Sequence, residues 1–390
     1  MAGSPLSIDW DVAVATARTL VRHGPRISPQ EAHDVVAELR SMVPDAERHV
    51  AEFTGLTIPD VDVPVAVVDR IGWVSANVDG FRIALEPLVE RLAAKRRGGE
   101  PPAFVKAVGS RVTGVQVGTI MSYLASRVLG QFELFIPPAA GENGRLTLVA
   151  PNIVETERRL DVDPHDFRLW VTLHEVTHRT QFTAVPWLRG YFTDQVRAYV
   201  DATDLDPSAL LGRLRDAASA VRGAVTGDDD ASLLEALQTP EQREIVGRLQ
   251  ALMSLLEGHG DFVMDGVGPK VVPSAETIRQ RFDERRKGSG PVDRVIRRLF
   301  GLDMKMRQYA EGERFVNAVV AAVGMDGFNR VWDGPESLPT QAEIADPAAW
   351  VARVVPPEPV AVEAAPAKPA PRKRAPRKKP ADPAAGDASA

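Results

Sequence analysis

His174 and His178 stand four residues apart with Glu175 beside the first, in the run Leu173-His174-Glu175-Val176-Thr177-His178. On a helix, residues four apart lie one turn above each other. Both imidazoles can therefore reach one metal ion, and the adjacent carboxylate can take a proton from a water at that ion. This is the H-E-x-x-H pattern of a hydrolytic zinc site. A catalytic zinc takes three protein ligands and leaves its fourth position to water, so a third ligand must come from elsewhere in the chain. Glu257, in Leu256-Glu257-Gly258-His259-Gly260-Asp261, is the expected one. Its place beside Leu256 on a helix lets it point inward, and the small Gly258 and Gly260 would let two helices come within ligand distance. His259 is the rival ligand. Asp261 is a candidate to receive an imidazole N–H and so orient a ligand, and His259 could do the same if it is not a ligand itself. His165 lies well over one turn from His174 and is expected at the surface, as are His23, His33 and His49.

The elements that must position these residues are mostly helices. Asp163-Pro164 reads as an N-cap followed by Pro at the first helical position. Phe167, Trp170, Val171, His174, Thr177, His178 and Gln181 or Phe182 then recur at three- and four-residue steps, so the histidines belong to the face expected to be buried. Pro186 should stop that helix. Upstream, helices are expected between Ser7 and Phe53, with a start at Ser28-Pro29-Gln30-Glu31, and from about Val67 to Ala94. Gly98-Gly99-Glu100-Pro101-Pro102 breaks the chain. A helix rich in Gly, Ala and Ser follows over Val115 to Leu129. Phe132 to Ile136 and Arg145 to Val149 read as strands, a hairpin or a pair of edge strands just ahead of the metal helix. Such an edge could align a peptide by strand addition or simply cover the core.

Downstream, helices are expected over Leu188 to Val200, Pro207 to Val225, Pro240 to about Asp265, Val316 to Val323 and Pro347 to Val354. The Pro240 helix buries Ile245, Leu249, Leu252, Leu256 and Val263. Phe328 and Trp332 should anchor packing. Tyr309, with Arg307 as its alternative, is the candidate to stabilise an oxyanion.

With 44% hydrophobic and 26% charged residues, the 390-residue chain can bury a sizeable core. No stretch approaches the roughly 20 apolar residues of a membrane span. The N-terminus has neither a basic start nor an apolar segment of the secretory kind, so a cytoplasmic location is expected. The sequence has no Cys. That excludes disulfides, thiolate ligands and a cysteine nucleophile, and leaves zinc to be held by His and carboxylate. Residues 361–390 carry seven Lys or Arg against Glu363, Asp382 and Asp387, a net +4 within a total of −6, which leaves −10 on the rest. The composition of that tail cannot pack a core, so it is expected to be solvated, with at most weak non-specific contact to nucleic acid.

The runs Leu173-His174-Glu175-Val176-Thr177-His178-Arg179 and Leu256-Glu257-Gly258-His259-Gly260-Asp261-Phe262, with Gly114-Val115-Gln116-Val117-Gly118 and Val149-Ala150-Pro151-Asn152-Ile153 ahead of them, resemble the zincin-2 family. These are actinobacterial zinc-dependent metalloprotease-like proteins, some encoded beside genes for a deazaflavin coenzyme. The likeness covers about residues 5 to 355. It implies a zincin-like metalloprotease fold, mainly α with a small β-sheet, a helical bundle around the H-E-x-x-H helix. It also places Glu257 as the third ligand of a gluzincin. His178 and Glu257 are 79 residues apart (257 − 178), more than in familiar gluzincins, which implies inserted helices beside the cleft.

The expected organisation is an N-terminal helical region over 1–130, a zincin-like catalytic region with inserted helices over 131–355, and a disordered Ala/Pro/Lys/Arg-rich tail over 356–390. The expected function is a zinc-dependent metallopeptidase acting on a peptide or protein, with Glu175 as general base and no organic cofactor. The alternative is a catalytically silent zinc-binding scaffold for a peptide or cofactor-like ligand. Oligomeric state is not legible in the sequence.

Overall fold

In the computed structural model, the described residues are 8–59, 63–94, 103–136, 143–202, 238–287 and 302–355. Three short strands form the sheet: β1 (Val65–Val68), β2 (Gly130–Glu133) and β3 (Arg145–Val149). Their spatial order is β1-β3-β2. β2 runs antiparallel to β3, with Gln131 opposite Thr147, and β1 runs parallel to β3, with Ala66 opposite Thr147. The antiparallel pair is the one expected, although β2 begins at Gly130 rather than Phe132. β1 corrects the expectation of a helix from Val67. Three of its four residues are β-branched valines, which suit a pleated surface, and β3 supplies the partner that a local reading cannot see.

Before the site come α1 (Trp10–Leu20), α2 (Pro29–Thr54), α3 (Arg70–Ala94), α4 (Ala103–Ala125) and α5 (Ala150–Leu160). Ser28 caps α2 by accepting from the Glu31 N–H. Gly114 and Gly118 bring α4 against the Asp9 and Ala13 carbonyls at α1, the close packing expected of its small residues. The helix α6 (Pro164–Ala184) carries His174, Glu175 and His178, and α7 (Pro186–Asp201) follows at once, Pro186 standing at its first turn. Then come α8 (Pro240–Val271), α9 (Ala275–Lys287), α10 (Leu302–Asn329), α11 (Gln341–Ala345) and α12 (Pro347–Val354). Thr239 and Gln242 cap α8 reciprocally. α10 kinks at Gly324, where φ is 74°. The helix expected over Pro207 to Val225, the break at Gly98 to Pro102 and the tail lie outside the described residues.

α6 runs through the main core. Phe167, Val171, Leu173 and Val176 pack with the sheet residues Leu146 and Leu148, with Leu39 and Val43 of α2, and with Val263 of α8. Residues 1–355 form one compact unit. A second core holds Phe315, Phe328, Trp332 and Trp350, so Phe328 and Trp332 do anchor packing. Among the described residues, no helix is long and apolar enough to cross a membrane.

α8 and α10 cross with their backbones nearly touching. A Cβ on Gly258 would overlap the Gly312–Glu313 peptide, and one on Gly312 would overlap the Ser254 carbonyl. Gly258 therefore serves this crossing, while Gly260 is the glycine that faces His174 and His178 of α6. Gly190 in α7 is the contrast, with open space where a Cβ would go. In urea denaturation Gly312→Ala should lose about 1–3 kcal/mol or more, because two helices must part. Gly190→Ala should be neutral or stabilising by up to about 1 kcal/mol.

Candidate metal centre

Two helices bring the candidate donors together. His174 and His178 project from one face of α6 and Glu257 from α8, with one donor atom from each lying within 4.8 Å of the other two. The His174 and His178 Nε2 atoms are 3.3 Å apart, and Glu257 Oε2 is 3.7 Å from His178 Nε2. Two imidazole nitrogens bound tetrahedrally to one zinc at about 2.0–2.1 Å would be roughly 3.3–3.4 Å apart. The pair already has that separation, and with a carboxylate alongside it is a donor set that fits zinc. All three side chains are half-buried and line a cavity of about 660 Å³.

The bond that fixes this arrangement comes from Gln181, which the helical spacing places on the buried face but to which the sequence assigns no role. Its Oε1 lies 3.0 Å from His178 Nδ1, while its Nε2 lies 2.9 Å from the Leu256 carbonyl and 3.0 Å from His259 Nδ1. The amide nitrogen can only donate, so the carbonyl oxygen faces His178 and accepts the Nδ1 proton. That leaves the His178 Nε2 lone pair free for a metal. One carboxamide thus sets the tautomer of a candidate ligand on α6 and joins it to α8 next to Glu257. The spacing His174, His178, Gln181 is the signal that could have revealed it, since three residues on from His178 is the same helix face.

His259 lies outside the donor group. It is wholly buried, stacked on Phe328 and edge-on to Trp332, and its Nδ1 accepts from Gln181. Its Nε2 therefore carries the proton and has no hydrogen-bond partner among the described residues. Burial, reinforced by His178, pushes its pKa down to about 3. Asp261 is half-buried and acts on His178 through its charge. His165 is exposed and pairs with Glu38 at 2.7 Å. Tyr309 and Arg307 lie on α10, but their side chains fall outside the described residues.

Glu175 is buried on the sheet side of α6. A Cβ on Gly130 would come within 2.7 Å of Glu175 Cγ and 2.8 Å of Cδ, so the bare backbone at the start of β2 is what admits the carboxylate. Burial pushes Glu175 up to about 7, opposed by the charge of His178 and helped by Glu257. For His178, burial works downward, but the Glu257 and Glu175 carboxylates and the Gln181 acceptor prevail and raise it. Beside them Glu133 of β2 is buried, paired with Arg145 at 2.6 Å and hydrogen-bonded by Thr147. Arg189 of α7 donates Nε and Nη2 to the Leu134 carbonyl at 3.0 and 2.7 Å and pins the chain just past β2.

A family model described as a zincin-like metallopeptidase, Zincin_2, matches residues 8–351. A crystal structure described as a candidate hydrolase with a novel fold, from Chloroflexus aurantiacus, superimposes with a TM-score of 0.64. It is 34% identical and aligns over 89% of this chain and 98% of its own. No curated protein matches the sequence.

Two outcomes follow from the Gln181 network. Gln181→Met, which keeps the volume but loses the bonds, should weaken zinc binding about 10- to 100-fold in a competition titration against a chelator. His259 has a folded-state pKa of about 3, below its ordinary 6.5, so the unfolded chain takes up its proton first. The stability it contributes is full above about pH 6.5 and is lost as pH falls toward 3, by up to about 1.4 kcal/mol per pH unit. In denaturation series with chelator present, His259→Gln should lose less stability than the parent between pH 7 and 5.

Proposed function

The chain belongs to the zincin-2 family of zincin-like metallopeptidases, and from that premise we propose that it is a zinc-dependent peptidase. His174, His178 and Glu257 would hold the ion, and Glu175 would serve as general base. The observation that carries this reading is the pairing of the three-donor group with a separate, buried Glu175 that is not part of it. A purely structural zinc would be closed by a fourth protein ligand and would have no use for such a base.

When bound, zinc would lower the pKa of water and polarise the substrate carbonyl. The rest falls to the chain's own groups. Held near neutrality by burial, Glu175 can accept a proton from water and return it to the departing amine. Gln181 keeps the His178 proton on Nδ1 and so keeps Nε2 open. β2 is an edge strand that lines the cavity from Gly130 onward, so an extended substrate could lie along it by strand addition. The oxyanion donor is assigned to Tyr309 on residue type and chain position alone, with Arg307 the alternative.

Elemental analysis and a quenched-peptide library test this reading together. The expected result is about one zinc per chain, lost in His174→Ala and in Glu257→Ala, with peptide cleavage that falls at least about 100-fold in Glu175→Gln while zinc is retained. Zinc without cleavage would leave a metal-binding scaffold for a peptide or cofactor-like ligand, and absence of zinc would overturn the metal site itself.

A further inference from the structure

The cavity beside the donor group has two chemically different ends. Its polar end holds His174, Glu175, His178 and Glu257. The other end is aromatic. Phe182 lies one helical turn beyond His178 on α6 and stacks on Phe132 with ring centres 5.8 Å apart. Phe192 of α7 stands edge-on to Phe182 at 6.3 Å and tilted to Phe135 at 6.4 Å. These four rings, from the strand edge and two successive helices, form a continuous apolar lining that starts one turn from a candidate metal ligand.

The facing wall is α3, and its composition keeps the space open. Ala76, Gly80 and Ala84 recur every fourth residue along it. Gly80 also seats α3 on the strand, since a Cβ there would come within 2.8 Å of the Phe135 carbonyl. Phe81, next to it on the same lining, is 42% exposed. A phenylalanine left in water on the wall of a cleft, opposite a set of other aromatic rings, is apolar surface available for a ligand to bury.

Charge sharpens the reading. The described lining residues include no Lys or Arg, and Glu133 is already committed to Arg145 and Thr147. An acidic side chain entering the aromatic end would give up its hydration with no Lys or Arg among the described lining residues to pair with, since Arg189 behind the wall is committed to the Leu134 carbonyl. A bulky apolar side chain would instead exchange water for ring contacts.

We propose that this aromatic chamber is a specificity pocket, and that the ligand is a peptide-like amide with a bulky, uncharged apolar side chain, aromatic or branched aliphatic, next to the bond held at the polar end. The proposal rests on the peptidase reading for what happens to that bond. The selectivity itself is a property of binding and needs no turnover.

The test uses the full-length Glu175→Gln protein with zinc added, which should not consume peptide, and is repeated in chelator. Calorimetry compares acetyl-Ala-Phe-Ala-amide with the same peptide carrying Ala or Glu in place of Phe. The Phe peptide should bind about tenfold or more tightly than the Ala peptide, in keeping with burial of one aromatic side chain, and the Glu peptide most weakly. Adding Ala84→Trp fills the chamber and should remove about tenfold of the Phe peptide's affinity while hardly changing that of the Ala peptide. Phe81→Ala, at an exposed position that folding tolerates, should cost about threefold. Equal affinities for the three peptides, no measurable binding of the Phe peptide, or a Phe preference untouched by both variants would overturn the proposal. Hydrolysis by the parent protein is scored separately. Phe-selective binding without cleavage keeps this pocket and removes the peptidase reading, while cleavage without preference does the reverse.

Discussion

Three donor atoms on two helices, with His178 and Glu257 79 residues apart in the chain, must be held within ligand distance of one another. A distance tolerance of a few tenths of an ångström cannot be met by hydrophobic packing alone, which is non-directional. The Gln181 carboxamide meets it, because a hydrogen-bonded amide has fixed geometry and both of its ends are used. One end faces His178 on the metal helix, and the other holds the Leu256 carbonyl and His259 on the partner helix. The network is buried, where an unmade bond is costly, so the helices are locked in register rather than merely in contact. His259 completes the lock. Its neutral ring accepts from Gln181, and its burial between Phe328 and Trp332 keeps it neutral at ordinary pH.

The same logic of enforced proximity applies to Glu175. A carboxylate in a core would usually be paired with a cation, as Glu133 is paired with Arg145 a strand away. Glu175 instead lies against the bare backbone of Gly130, and its pKa rises toward neutrality as a result. Two glutamates on neighbouring elements thus have opposite environments. One is neutralised by partners and holds the sheet together. The other is left chemically available at the edge of the cavity.

What the sequence revealed of this and what it concealed divide along one physical line. The spacing of His174, Glu175 and His178 is local, and so are the caps at Ser28, Asp163 and Thr239, and each was legible or could have been. Glu257 could be guessed because it stands beside a buried leucine on a strongly periodic helix. β1 was hidden because a four-residue strand is defined by its partner, whose paired residues lie 81 positions downstream (146 − 65), and its valines fit the start of a helix equally well. Of the two glycines expected to let helices come within ligand distance, Gly260 does face His174 and His178 of α6, but Gly258 faces Gly312 of α10, a neighbour that no local pattern names. The role of Gln181, though not its place on the buried face, was hidden for a different reason. Glutamine is an ordinary helical residue, and only the identity of the groups at its two ends gives it meaning.

The resemblance motifs that carry no titratable group show how far such long-range constraints extend. Gly114 and Gly118 let α4 press against α1, and together with Trp73 and Val78 of α3 these helices form a separate small core. Asn152 donates to the Ala125 and Val128 carbonyls at the end of α4 and accepts from Arg70, whose guanidinium also holds the Arg22 and His23 carbonyls just past α1. Arg70 is the first residue of α3. Asn152 therefore ties the ends of α1 and α4 to the start of α3. Farther along that helix, Trp73 donates to Gln131 on β2 and Gly80 rests on the Phe135 carbonyl. The wall of the cavity thus inherits its position from residues far from the candidate metal donors. A glycine pair and an asparagine with no part in proton transfer decide how wide the cleft beside the histidines can be.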